Sequence, residues 1–360
     1  MLMDSFEVEN FRSLKHLKLE KLARVNLLVG KNNSGKTSVL EAIYALTRIE
    51  VADWFELLEK NRGIDYADYD FVSVFYGFNS KNYVQVGASY RDTGRGPKRF
   101  RFRLDLVVEP SRARRRERKI LNVGIVVGTG KPPYRFTLKN ARNEYEEAVY
   151  TGLTDISDEF LEEGLPSNIE PRHASELLST DINLSQLSEQ LSELILNKEE
   201  DALLSIMQEI EPRIVSMILD SKGEVHFNLG EGFDRLFPIK LMGEGIQRLL
   251  CVITSIAATA GGFILIDELD NGLHYSALRI LWKGIMLSAR EYDVQIVATT
   301  HSAEALRHLT WVLDDDEYKD YRDDVAAYTL VRADDDTVRS YRHDYEQLDY
   351  ALDHGLEIRN

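Results

Sequence analysis

The chain opens on alternation: residues 3–9 set apolar and polar side chains by turns, the period-two pattern of a strand with one buried face. Val25-Asn26-Leu27-Leu28-Val29 is a short apolar run that predicts a strand buried on both faces, and it leads directly into a glycine-rich loop. Ser38 to Leu46 then predicts a helix. From about 70 to 140 the period returns to two, with Tyr83-Val84-Gln85-Val86, Phe100 to Val108, Val123 to Val127 and Tyr134 to Leu138 predicting antiparallel strands joined by Gly- and Arg-rich turns. Between about 155 and 220 the period lengthens. Leu184, Leu187, Leu191 and Leu194 are spaced 3-4-3, and Leu203, Met207 and Ile210 repeat the stripe on a second helix, with a turn near Asn197. Such a hairpin packs within the chain or meets a partner.

From Leu236 an α/β rhythm returns: helix 244–258, strand 263–267, helix 276–290, strand 294–299, and strands over 327–332 and 338–342. Asp334-Asp335-Asp336 lies between the last two strands, where aspartates form turns more readily than metal sites. Asp314 to Glu317 reads as a solvated acidic loop. The fold class is therefore α/β. The predicted division is a head made of 1–50 and 236–360, an inserted strand-rich lobe over 51–150 and a helical lobe over 151–235.

Composition changes this picture only locally. With 360 residues, 44% of them hydrophobic, the chain can bury a proper core. It has no apolar run of membrane-spanning length, and its start lacks the layout of a signal peptide. Its single cysteine, Cys251, rules out an intrachain disulfide framework, fits a reducing cytoplasm and falls in an apolar helix pattern. Net charge is −16, which opposes general binding to nucleic acid. The exception is Arg91 to Lys119, with twelve Lys/Arg against four Asp/Glu. Arg112, Arg114, Arg115 and Arg116 in this stretch are candidates for contact with DNA or a protein partner; a solvated hairpin is the alternative.

The chemistry is concentrated in two places about two hundred residues apart. Gly30-Lys31-Asn32-Asn33-Ser34-Gly35-Lys36-Thr37 is a full phosphate-binding loop between a strand and a helix, as that motif requires. Its backbone N–H groups, with Ser38 opening the helix, form a nest for phosphate oxygens. Lys36 would pair with the β- and γ-phosphates of ATP, and Thr37 would place its hydroxyl on Mg²⁺. Phe263-Ile264-Leu265-Ile266-Asp267-Glu268 is the second half: a buried strand delivers Asp267 to the metal and Glu268 to the attacking water. His301 ends the next strand, within reach of the γ-phosphate. Gly243, Glu244 and Gly245 open an apolar helix, a second phosphate-binding end. One subunit has such an end already at Gly35, so the second makes sense on the nucleotide of another subunit.

Asn10-Phe11-Arg12-Ser13-Leu14, the phosphate loop, Gly243-Glu244-Gly245-Ile246-Gln247-Arg248, Ile266-Asp267-Glu268-Leu269-Asp270-Asn271-Gly272-Leu273-His274 and Thr299-Thr300-His301-Ser302 resemble, in order, the motifs of ABC-type ATPase heads of the RecF, SMC and OLD (overcoming lysogenisation defect) group. The ending Tyr345 to Arg359 is similar to that of stand-alone ATP-binding proteins in the group. The resemblance implies that Arg12 touches nucleotide phosphates, that Gly243 to Gly245 are the signature acting in trans, that His301 is the switch histidine and that Gly272 to His274 lie at a dimer seam. It implies ATP and Mg²⁺ as cofactors and a homodimer or higher oligomer closed around ATP. The signature departs from the L-S-G-G-Q of transporters. The loop glutamine that helps hold Mg²⁺ has no clear counterpart, Gln85 being a candidate. About sixty residues follow His301, too few for the Toprim nuclease of OLD proteins. The expectation is accordingly an ATP-driven switch controlling a separate nuclease or toxin, as in two-gene antiphage systems. A RecF-like repair ATPase acting on DNA is the alternative; a transporter subunit and a non-hydrolysing scaffold fit less well.

Overall fold

In a computed structural model of the chain, residues 2–48, 58–60, 62–64, 71–79, 81–91, 98–110, 117–127, 134–140, 174–178 and 184–358 are described, those between 98 and 140 as backbone only. The centre is a six-stranded sheet. Its strands are β3 (Val25–Val29), β8 (Ser175–Leu178), β12 (Phe263–Ile266), β13 (Gln295–Thr299), β14 (Val325–Arg332) and β15 (Val338–His343), in the order β15-β14-β3-β13-β12-β8. All neighbours run parallel except the β14–β15 hairpin. β3, β12 and β13 are buried at every position, as apolar runs covered on both faces must be.

The two faces feed two cores, and the strands alternate between them residue by residue. Val25, Leu27, Val29, Ile264, Ile266, Ile296 and Ala298 point into one core. Leu28, Phe263, Leu265 and Val297 point into the other. The first core is closed by α2 (Leu184–Asn197), α3 (Glu200–Ile210), α4 (Glu244–Ala258), α5 (Tyr275–Glu291), α6 (Ala303–Asp314) and α7 (Tyr345–Asp353). The second holds α1 (Lys36–Arg48) between the central sheet and a second sheet, β2-β1-β4-β5-β6-β7. That sheet is antiparallel and comprises β1 (Met3–Phe11), β2 (Leu14–Glu20), β4 (Val84–Tyr90), β5 (Lys98–Pro110), β6 (Glu117–Val127) and β7 (Tyr134–Asn140). Gln295 ties the two sheets together: its side chain accepts from the Met3 N–H at 2.7 Å and donates to the Met3 carbonyl at 2.9 Å.

The structure differs from the sequence expectation between 151 and 235. Besides the two helices, this stretch contains β8, which extends the central sheet, and β9 (Ser216–Leu219) and β10 (Val225–Asn228), which with β11 (Phe237–Pro238) form a small antiparallel sheet. Four residues without alternation cannot announce β8; its pairing with β12 makes it a strand. The helical stripe packs within the chain, with Leu187, Leu191, Leu194, Leu203 and Met207 buried in the first core. Among the described residues no helix is long and apolar enough to cross a membrane.

Candidate functional site

The parallel strands β3, β12 and β13 end side by side, so the residues that follow them share one edge of the sheet, the usual place for a site in such folds. The loop after β3 passes through two positions that only glycine can hold. Gly30 has φ +151° and a Cβ there would meet the Leu330 carbonyl at 2.6 Å; Gly35 has φ +96° and its Cβ would meet Leu14 Cδ2 at 2.6 Å. The loop so formed bends around Lys36, whose buried ammonium donates to the carbonyls of Gly30 and Lys31, both at 2.9 Å. Burial pulls the Lys36 pKa below its ordinary value, against the nearby charges of Asp267 and Glu268.

The second half of the motif meets the first directly. The Thr37 hydroxyl donates to Asp267 Oδ2 at 2.8 Å, across 230 residues of sequence. Thr299 at the end of β13 donates to Asp267 Oδ1 at 2.6 Å and accepts the Glu268 N–H at 2.8 Å, fixing the acidic pair to the neighbouring strand. Glu268 has φ +49°, rare for a non-glycine residue, and is exposed to the cavity. A hydroxyl beside a carboxylate is a hard-oxygen donor pair suited to Mg²⁺ that keeps waters and phosphate oxygens in its shell. The residues present therefore fit Mg²⁺, which Thr37 and Asp267 would hold.

These groups border a cavity of about 670 Å³. Asn32, Asn33, Gly35, Lys36, Thr37 and Ser38 contribute the phosphate loop, Asp267, Glu268 and His301 the strand ends, and Arg12 and Ser13 the β1–β2 turn. Ser34 is buried behind the loop and Lys31 faces outward. His301 is placed by Thr300, which donates to Asp270, and by Ser302, whose hydroxyl caps α6.

Two expectations, those for Arg12 and Gln85, meet a different arrangement. Arg12 lines the cavity, yet its guanidinium is engaged by two buried carboxylates: Nη2 lies 2.6 Å from Glu59 Oε1 and Nε 3.3 Å from Glu41 Oε2. Glu41 is also held in a two-pronged pair by Arg62, at 2.6 and 2.9 Å, and Ser73 donates to Glu59 at 3.0 Å. Gln85 is the second residue of β4, opposite Glu9 and Arg103, and is not among the residues bordering the cavity. Gly243, Glu244 and Gly245 lie away from the cavity. Gly243 caps α4 with open space around it, and Gly245 packs on Leu273 and Ala277, beside the turn that begins α5. The side chain that joins this helix to the site is Arg248, which sequence reading left without a role; it is buried and reaches the carbonyls of Asp267 and Glu268 at 3.5 and 3.4 Å. Arg112, Arg114, Arg115 and Arg116 lie outside the described residues.

Comparison with known proteins agrees with this geometry. A family model described as "AAA domain, putative AbiEii toxin, Type IV TA system" matches residues 25–307. An "ATP/GTP phosphatase" of Helicobacter pylori is 20% identical over 98% of both chains. A "DNA replication and repair protein RecF" of Clostridioides difficile is 51% identical over 47 residues, 13% of each chain. Among solved structures, an SMC head bound to the C-terminal winged-helix domain of ScpA superposes with a TM-score of 0.50 at 14% identity, covering 96% of this chain and 99% of that one. An SMC head with an extended coiled coil, bound to the C-terminal domain of ScpA and derived from Pyrococcus furiosus, gives 0.53 at 12% identity, covering 99% of each. With the phosphate loop, the acidic strand end and most of the central sheet inside the matched span, this chain belongs to the family described as "AAA domain, putative AbiEii toxin, Type IV TA system", as a P-loop ATPase with the fold of an SMC head.

Proposed function

We propose that the chain is an ATP-driven switch whose two copies close around two ATP molecules, and that the closed form controls a separate nuclease or toxin in bacterial antiphage defence. Lys36 neutralises the β- and γ-phosphates, Thr37 and Asp267 hold Mg²⁺, Glu268 orients or deprotonates the attacking water and His301 bonds the γ-phosphate. Gly243 to Gly245 of one copy complete the site of the other, and turnover opens the pair. The observation that carries this reading is the separation of parts within one chain. The Thr37–Asp267 contact brings the phosphate loop against the acidic strand end, while the Gly243–Gly245 turn lies outside that cavity with open space at Gly243. The family description refers to a type IV TA system, which supports a partner protein encoded alongside this one.

The test is mass in solution with ATP, using Glu268→Gln to block turnover, in the presence of the product of the adjoining gene. A stable ATP-dependent complex with that protein is the expected outcome. An ATP-dependent homodimer that ignores the neighbour and binds DNA favours a RecF-like repair function instead, the reading supported by the RecF match and by the basic segment. In that case affinity falls steeply with salt and collapses when Arg114, Arg115 and Arg116 are replaced by Ala.

A further inference from the structure

The phosphate site leaves one end of the cavity unexplained. On the nucleotide reading above, Asp267, Glu268 and His301 gather at the γ-phosphate end, and the N-terminus of α1, where Ser38 follows Thr37, would receive the α-phosphate. Ser38 is joined to Ser13 by a hydroxyl–hydroxyl hydrogen bond of 2.8 Å, so the nucleotide beyond its α-phosphate passes the β1–β2 turn. The other wall there is the segment Phe71 to Phe78, which contributes Ser73, Phe75, Gly77 and Phe78 to the same cavity.

Phe78 is unusual on three counts. Its side chain is 73% exposed, the highest figure for any large aromatic among the described residues. It follows Gly77 at φ +60° with φ +55° of its own, a conformation that a bulky residue rarely adopts. And it stands on a fixed base: Phe75, 1% exposed, pairs with Phe11 through a β-bridge, the Arg12 N–H donates to the Val74 carbonyl at 2.8 Å, and the Phe78 N–H donates to the Phe75 carbonyl at 3.0 Å. The neighbouring wall is fixed as well, because Arg332 donates to the carbonyls of Ser13 and Asn33 at 2.9 and 3.3 Å. A rigidly mounted aromatic ring left in water at the mouth of a phosphate site is the group that a flat, poorly solvated ring recognises.

We propose that Phe78 is the platform on which the base of the bound nucleotide stacks. The inference rests on the nucleotide reading above and adds the residue that tells a nucleoside triphosphate from bare triphosphate. The ring recognises the face that every base has, and leaves discrimination between bases to other groups.

The experiment is calorimetric titration of the full chain with MgATP and, separately, with magnesium tripolyphosphate. Phe78→Ala is expected to weaken ATP about 10-fold or more and to leave tripolyphosphate within about 2-fold of the parent; Phe78→Trp is expected to bind ATP like the parent and to lose indole fluorescence on binding. Equal loss of both ligands, or parent-like ATP binding by Phe78→Ala, overturns the proposal. Lys36→Ala separates the two levels: it is expected to lose both ligands. If it binds both like the parent, the phosphate site itself is misassigned and the base platform falls with it.

Discussion

At the scale of single residues, the site is held open by charge pairs rather than by packing alone. Arg12 has 6% of its side chain exposed, Glu59 1% and Glu41 2%, so the cluster is out of water. Removing one partner of such a pair leaves an uncompensated buried charge, at a cost of about 3 kcal/mol. Glu59→Gln should therefore lower the unfolding free energy measured by denaturant titration by that order, and Arg12→Met with Glu59→Leu should recover much of the loss; a single variant as stable as the parent would show the pair to be solvated. Local motif chemistry made the phosphate loop legible in the sequence, because its glycines, Lys36 and Thr37 act within eight consecutive positions. Glu41, Glu59 and Arg62 carry no such mark. Their roles come from partners up to 47 positions away, and Glu41 showed only as an acid on a helix otherwise apolar toward its core. Asp267 is readable as the end of a buried strand, whereas Thr299, although part of the Thr299-Thr300-His301-Ser302 motif, carries no local mark of its hydrogen bond to Asp267 across 32 positions.

At the scale of elements, α4 links the Gly243–Gly245 turn to the backbone of Asp267 and Glu268. Its first turn is exposed at Gly243 and Glu244, while Arg248, one turn further on, touches the backbone of Asp267 and Glu268. Because a Cβ at Gly243 meets nothing within 4 Å, Gly243→Arg should fold and bind ATP as the parent does yet lose ATP-dependent assembly and turnover. Loss of ATP binding by the isolated subunit would contradict that separation. The same helix takes part in a buried polar knot: Ser255, Gln186 and Gln190 donate to Glu176 on β8. Burial outweighs these hydrogen bonds and raises the Glu176 pKa. A carboxyl whose pKa is raised by folding takes up a proton as the chain folds, so stability falls as pH climbs from the unfolded pKa through the raised one. Glu176→Gln should raise Tm above that window, and the gain should shrink toward pH 4; a gain independent of pH would assign the effect to packing. Helix α7 shows what element reading can miss. Asp344 and Gln347 form a capping box at its start, a signal written in the sequence, yet the segment was noticed only for its likeness to other endings. By contrast the 244–258 helix was predicted to the residue because its apolar period is long and uninterrupted.

At the scale of the whole molecule, the two cores are coupled through the central sheet. Neighbouring residues of β3, β12 and β13 point into opposite cores, so neither core can lose its packing without uncovering strands that the other needs. The nucleotide site sits on that shared sheet and draws Lys36 and Thr37 from the helix in one core and Asp267 from the end of a strand that serves both. A ligand that binds only the folded form stabilises it by about 2.7 kcal/mol at a hundredfold excess over Kd. Here that stabilisation should reach the whole chain at once. MgATP is expected to shift a single unfolding transition upward, followed together by far-ultraviolet circular dichroism and by the fluorescence of Trp282 in a chain with Trp54→Phe and Trp311→Phe, since Trp282 is fully buried in the helical core and lies outside the nucleotide cavity. Lys36→Ala should abolish the shift without splitting the transition. If only the dichroism shifted while the Trp282 signal melted at its ligand-free temperature, the helical core would be unfolding independently. ATP binding at the shared sheet could then not be conveyed through that core to the Gly243–Gly245 turn.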